Sequence, residues 1–109
     1  MADRFHNFSE FWPYYISEHS KPGTRLSHFI GTSLLFLFLI LAAYFAKLVF
    51  ILAGVIFAYG FAWFGHFFIE QNRPATFRYP LLSLIGDFKM YGLTLQEIYR
   101  KVAKPSAAS

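Results

Sequence analysis

From Leu26 to Ile69 the chain runs for 44 residues with one fully charged side chain, Lys47. A helix needs about 20 apolar residues to cross roughly 30 Å of hydrocarbon. The tract therefore holds two crossings, Phe29 to Ala46 and Leu48 to Ile69, with Lys47 in the turn. A soluble protein would have to bury the same hairpin, and the material for that is missing. Charged residues are 15% of the chain and hydrophobic ones 56%, where a soluble domain carries about 25% charged. The flanking segments are too short to cover the hairpin. The expected fold is all-α: a two-span membrane hairpin with amphipathic, interfacial helices on both sides. Residues 1–103 form one helical membrane domain, and Lys104 to Ser109 a small, polar, disordered tail.

Charge placement sets the expected topology. Three Lys/Arg precede the first span, one lies in the turn and six follow the second. The positive-inside rule then puts both termini in the cytoplasm, and this accounts for most of the net charge of +4. No basic run exceeds Arg100-Lys101, so nucleic acid is not an expected partner. Residues 1–25 contain no apolar core of a signal peptide. The absence of cysteine excludes thiolate metal sites and cysteine nucleophiles.

The flanks read as shorter helices. Phe5, Phe8, Trp12, Tyr15 and His19 fall on one helical stripe. Ser9 as N-cap would put Pro13 in the first turn, where its missing N–H costs little; a kinked pair of short helices fits equally well. This segment is expected to lie in the interface with its aromatic face down. Thr24 is a candidate cap for the first span. Gln71-Asn72-Arg73-Pro74 breaks the chain after the second, and Pro80 suits the first position of a further helix. Leu81 to Leu95 carries Asp87, Lys89 and two glycines and is short for a span, so it reads as interfacial or re-entrant. Thr94-Leu95-Gln96-Glu97 matches a capping box opening a last helix to about Val102.

The histidines point to chemistry. His28 stands 19 residues before Lys47 and His66 19 residues after it. In an antiparallel hairpin both lie about 28 Å from the turn. His19, nine residues before His28 across a Pro-Gly turn, can fold back to the same level. Glu70 follows His66 by one turn. Three imidazoles and a carboxylate without sulfur suit iron, zinc, copper or nickel, and three protein ligands with open positions are the pattern of a catalytic metal. Glu70 is read as part of that site, as an ion-pair partner of Arg73 or as a helix-end charge. Asp87 is a spare ligand or the partner of an arginine. Arg25, Arg73 and Arg78 surround the same end of the hairpin and could meet a lipid carboxylate. His6 is out of phase with the stripe and reads as solvated. Gly54, Ala58, Ala62, His66 and Glu70 recur at i+4 steps, a contact line for close helix packing.

These residues also form a recognisable order: Phe11-Trp12-Pro13-Tyr14-Tyr15, Ser17-Glu18-His19, Thr24-Arg25-Leu26-Ser27-His28, then Gly65-His66-Phe67-Phe68, Glu70, Asn72-Arg73-Pro74-Ala75 and Gly86-Asp87-Phe88. The order resembles a family of small membrane 2-hydroxy fatty acid dioxygenases, formerly a domain of unknown function. Its yeast relative works in the endoplasmic reticulum in fatty-acid α-oxidation during phytosphingosine breakdown. The resemblance implies an Fe2+-dependent enzyme that takes a 2-hydroxy fatty acid and O2 to a fatty acid one carbon shorter. It places the family's motif histidines on His19, His28 and His66. Glu70 and Arg73 are then read as catalytic residues, and Arg25, Arg73 and Arg78 as substrate-binding ones. The short form is that of bacterial relatives, implying an inner membrane, or the endoplasmic reticulum in a eukaryote. A small transporter and a non-catalytic membrane adaptor are the other classes open to such a sequence.

The topology is directly testable. Single cysteines at Ala2 and Ser106 should label from the cytoplasmic side of sealed vesicles, and one at Lys47 from the opposite side. Equal cytoplasmic access for all three would overturn it.

Overall fold

The computed structural model describes residues 5–103, and every regular element among them is helical. Helix α1 spans Phe8–Ser17, α2 Pro22–Phe45, α3 Val49–Phe64 and α4 Pro80–Ala103. A π-helical turn, Gly65–Glu70, continues α3, and a short 3-10 turn, Ala75–Phe77, precedes α4. The expected tail from Lys104 onward lies outside the described residues.

Helices α2 and α3 make the expected hairpin. Ala46 closes α2 in the left-handed conformation (φ 55°), and Lys47 sits in the connection. Two stretches, Pro22–Phe45 and Val49–Glu70, are long and apolar enough to cross a membrane. Only 22% of an 18-residue apolar window in each is buried, and Ile40, Leu52 and Ile56 are each 60% or more exposed. The hairpin is therefore not the covered core of a soluble fold; its apolar surface faces outward, as a lipid-facing surface does.

The seam between the two helices is tight at glycines. A Cβ on Gly31 would lie 2.8 Å from the Ala58 carbonyl oxygen, and one on Gly54 would lie 3.0 Å from Phe38 Cβ. Of the i+4 line read from the sequence, Gly54 and Ala58 do meet α2. Ala58 meets Gly31, and Gly54 meets Phe38 and Leu35, residues of the opposite helix that belong to no such pattern.

The buried apolar cluster lies beside the hairpin. Phe11 and Tyr15 of α1 pack with Ala75, Tyr79 and Met90. A Cβ on Gly86 would lie 2.9 Å from the Tyr15 ring, so glycine lets that ring rest on the α4 backbone. Lys89 covers the outer side, with Nζ 4.4 Å from the Trp12 ring centroid, a cation–π contact. The most buried side chains of α1, Phe11 and Tyr15, thus pack on protein. Of the expected aromatic stripe, Phe8 and Trp12 are only half-buried.

Local capping differs from the sequence reading in three places. Asn7, not Ser9, caps α1 by accepting from the Glu10 N–H at 2.9 Å. Pro13 is consequently inside a single helix, where it removes one backbone bond and packing of Phe11 and Tyr15 on either side holds the turn. Thr24 does not cap α2; its hydroxyl donates to Glu70 Oε1 at 2.6 Å. Thr94 opens no helix, because α4 runs unbroken and the Thr94 hydroxyl donates back to the Met90 carbonyl at 3.0 Å. A break there would strand backbone N–H groups that the continuous helix satisfies. Pro80 does begin α4, as expected. Helix α4 lies along α2, with Tyr91 stacked on Phe29 at 4.9 Å and its hydroxyl 3.0 Å from Ser33 Oγ.

Gly31→Ala should destabilise the protein by about 1–3 kcal/mol, the cost of overpacking against fixed backbone. Gly92, with nothing within 4 Å of an added Cβ, should accept alanine and gain up to about 1 kcal/mol from helix propensity. Thermal unfolding of both variants in one detergent checks the pair. Equal shifts would refute the seam as the tight contact.

Candidate metal centre

Three histidines from three different elements meet at the end of the hairpin away from Lys47. His19 follows α1, His28 is in the second turn of α2, and His66 is in the π turn. All three are buried, at 1%, 7% and 2% exposure. His28 Nε2 is 3.1 Å from His19 Nε2 and 3.3 Å from His66 Nε2. One ring nitrogen from each lies within 4.8 Å of the other two. The rings stand nearly perpendicular to one another, at 75–88°, so edges converge and faces do not stack.

Two of the imidazoles, His19 and His66, are aimed by a hydrogen bond at their other nitrogen. His19 Nδ1–H donates to the Tyr15 carbonyl at 2.7 Å, and its ring stacks on the Tyr15 ring at 4.2 Å. Arg25 Nε donates to the His19 carbonyl at 2.7 Å and ties that loop to α2. His66 Nδ1–H donates to Asn72 Oδ1 at 2.7 Å. The orientation of that amide follows from its other end, since Asn72 Nδ2 donates to the Glu18 carbonyl and carboxylate. Gln71 adopts φ 62°, turning the chain so that the Asn72 N–H reaches the His66 carbonyl at 2.8 Å. His28 Nδ1 lies 3.7 Å from Asp87 Oδ1, which accepts the Tyr15 hydroxyl.

A carbonyl and an amide oxygen accept only, so His19 and His66 carry their hydrogens on Nδ1 and present bare Nε2 lone pairs. His28 has at most one hydrogen on Nε2 and cannot serve both neighbours. At least one buried lone pair is left facing another nitrogen, which is costly. A cation at the centre relieves this. Nitrogen donors fixed by a second hydrogen bond are how proteins prepare histidines for metals. Burial also holds the His19 imidazole neutral down to about 4, against the pull of the Tyr15 carbonyl. The donor set therefore fits a divalent transition metal such as iron, zinc, copper or nickel.

Residues 5–99 match the family model described as 2-hydroxy-palmitic acid dioxygenase Mpo1-like. The chain belongs to the Mpo1-like family. No curated protein and no solved structure matches it.

The Mpo1-like fold brings together some of the residues singled out by sequence and separates others. Glu70 stands apart from the imidazoles. Its carboxylate accepts from the backbone N–H groups of Ser20 and Lys21 and from the Ser20 and Thr24 hydroxyls. It thus caps α2, whose own N-cap, Lys21, supplies no side chain. The wide π turn breaks the simple one-turn relation of Glu70 to His66. Arg73 and Arg78 are exposed, and neither lines the cavity at the histidines, nor does Arg25. Arg73 makes no ion pair with Glu70. Asp87 pairs with Tyr15 instead of an arginine. Burial raises its carboxyl to about 6, with the Tyr15 hydrogen bond opposing; burial and the Asp87 charge push the Tyr15 phenol up, so it stays a donor. His6 is exposed, as expected. Sequence reasoning gave Asn72 no role and placed Tyr15 only in a stripe. The signal was present in the family motif, where Asn72 follows His66 by six residues, but only the π turn and Gln71 explain the contact.

Two adjacent voids complete the site. A space of about 10 Å³, room for one water-sized atom, touches the three histidines, Tyr59, Ser83 and Asp87. A larger one of about 260 Å³ runs between α2, α3 and α4 along Thr32, Leu35, Val55, Leu84 and Phe88. His28, Tyr59, Ala62 and Asp87 line both.

Replacing His19, His28 or His66 by alanine should abolish metal binding, and Asn72→Ala should weaken it about 10–100-fold. Glu70→Ala should keep one metal per chain while lowering the melting temperature, since it removes a helix cap. Elemental analysis with chelator competition measures all five. Full occupancy in the three histidine variants would place the site elsewhere.

Proposed function

We propose that the chain is an Fe2+-dependent dioxygenase that shortens 2-hydroxy fatty acids by one carbon. The observation that carries the reading is the convergence of three buried imidazoles, two of them fixed by hydrogen bonds, beside an apolar slot. His19, His28 and His66 would hold the iron. Bound there, the metal supplies activation of O2 and a Lewis-acid site for the substrate oxygens. The overall reaction balances without a further reductant: R–CH(OH)–COOH and O2 give R–COOH, CO2 and H2O.

The remaining tasks fall to the protein. Tyr15 and Asn72 hold two imidazoles in the ligating tautomer. The slot along Leu35, Val55, Leu84 and Phe88 takes the first part of the alkyl chain and excludes water from the reacting end. It runs about 10 Å along α2 from His28 to Leu35, so the rest of a long chain continues toward the lipid. Asp87, at the junction of the two voids, is an acceptor beside the place where the 2-hydroxyl would sit. Arg73 and Arg78, being exposed, draw a lipid carboxylate to this end of the hairpin and do not clamp it in the pocket. Arg25 is a positioning residue through the His19 carbonyl. Both termini and the metal site lie on the cytoplasmic side, in a bacterial inner membrane or in the endoplasmic reticulum of a eukaryote.

Anaerobically purified, iron-loaded protein given 2-hydroxypalmitate and limited O2 should release pentadecanoic acid and CO2, seen by mass spectrometry. Palmitate should not turn over. Intact iron and measurable substrate binding without the odd-chain product would reject the reaction.

A further inference from the structure

Ser83 is 2% exposed, yet its Oγ has no hydrogen-bond partner. A buried hydroxyl without a partner costs stability, and serine in a helix ordinarily avoids this by bonding back to a carbonyl, as Thr94 does eleven residues further along α4. Ser83 instead lines the small polar void with the three histidines. Asp87 is one turn further along the same face of α4 and lines the same void. Of its two carboxylate oxygens, Oδ1 takes the Tyr15 hydroxyl and is the one nearest His28, and Oδ2 remains available. Helix α4 thus offers a free donor and a free acceptor side by side.

A 2-hydroxycarboxylate presents the complementary pair on adjacent carbons, an acceptor-only carboxylate and a hydroxyl that donates. The void has room for one water-sized atom, so what reaches into it from the slot is a single carboxylate oxygen, and with no arginine in the lining that oxygen needs another donor. We propose that Ser83 binds the substrate, its hydroxyl donating to the carboxylate of the 2-hydroxy acid, while Asp87 Oδ2 accepts from the 2-hydroxyl. The assignment rests on the functional reading above and adds the residues that recognise the head of the substrate. It also accounts for the unpaired hydroxyl: the empty protein leaves unmade a hydrogen bond that the ligand completes.

Ser83→Ala is an informative variant because it removes a group with no partner in the free protein. The fold should be as stable as wild type or more so, a pattern expected where a site is kept at the expense of stability. Binding is measured under strict anaerobiosis on iron-loaded protein in nanodiscs, with 2-hydroxypalmitate, palmitate and the diol 1,2-hexadecanediol. Ser83→Ala should weaken both acids about tenfold or more, the effect of losing one hydrogen bond to a charged group. The diol, which has no carboxylate, should bind as before, and the iron content should not change. Asp87→Asn should narrow the preference for 2-hydroxypalmitate over palmitate. If Ser83→Ala binds both acids within twofold of wild type with iron retained, Ser83 is not the carboxylate donor, and the dioxygenase reading stands. If wild type binds neither acid, both fall.

Discussion

Two imidazoles on neighbouring helices can share a ligand only if the helices come close, and the site depends on that approach. His28 and His66 stand 3.3 Å apart at Nε2 because the seam admits almost no side chain. A Cβ on Gly65 would already lie 3.2 Å from Ser27 Cβ, one residue from each histidine. In lipid there is no hydrophobic drive to pull two apolar helices together, so small residues and polar contacts must do it. Here both act at the same end. Glycines allow the contact, and the Glu70 carboxylate, bound to the first turn of α2, pins the end of the π turn to it. The capping bond and the histidine cluster are thus parts of one junction.

The π turn reconciles two demands. An uninterrupted α-helix would place Glu70 one turn above His66 on a similar face. The chain needs His66 turned inward to the cluster and Glu70 turned to the start of α2. Widening the turn changes the angle between them, a known use of π segments at functional sites. Gln71 then reverses the chain in a left-handed conformation, which is unfavourable for a residue with a Cβ, and the return delivers Asn72 to His66.

On the dioxygenase reading, the division between an apolar slot and a small void beside the histidines separates binding from chemistry. The slot has the character of the hairpin around it and can select only for an alkyl chain. On the same reading, selection for the head falls to the polar groups at the void: Tyr15 and Tyr59 come from α1 and α3, and Ser83 and Asp87 from α4. That helix also closes the site, resting Gly86 on Tyr15, whose hydroxyl holds Asp87 and whose carbonyl and ring hold His19. A change at Tyr15 would reach two of the three imidazoles.

Much of this was legible in the sequence. One charge in a 44-residue apolar tract determines a two-helix hairpin, because uninterrupted apolar helix admits few other folds. Equal spacing of His28 and His66 about Lys47 determines that they share a level, because helix rise is constant. The sequence motifs were enough to suggest the family. What only the tertiary structure decided is direction. Whether Glu70 faces the histidines or the start of α2 depends on a π turn that the 3.6-residue period does not foresee. Whether Thr24 and Thr94 cap helices or bond elsewhere depends on which competing partner is near in space. The three arginines cluster by sequence at one end, yet stand off the cavity: Arg73 and Arg78 are exposed, as long charged side chains that reach outward to water are, and Arg25 is taken up by the His19 carbonyl. The pairing of Tyr15 with Asp87, 72 positions apart, and the free hydroxyl of Ser83 have no periodic signature. They arise where α4 happens to cross α1 and α2, and that crossing is a property of side-chain packing in three dimensions, not of any local pattern along the chain.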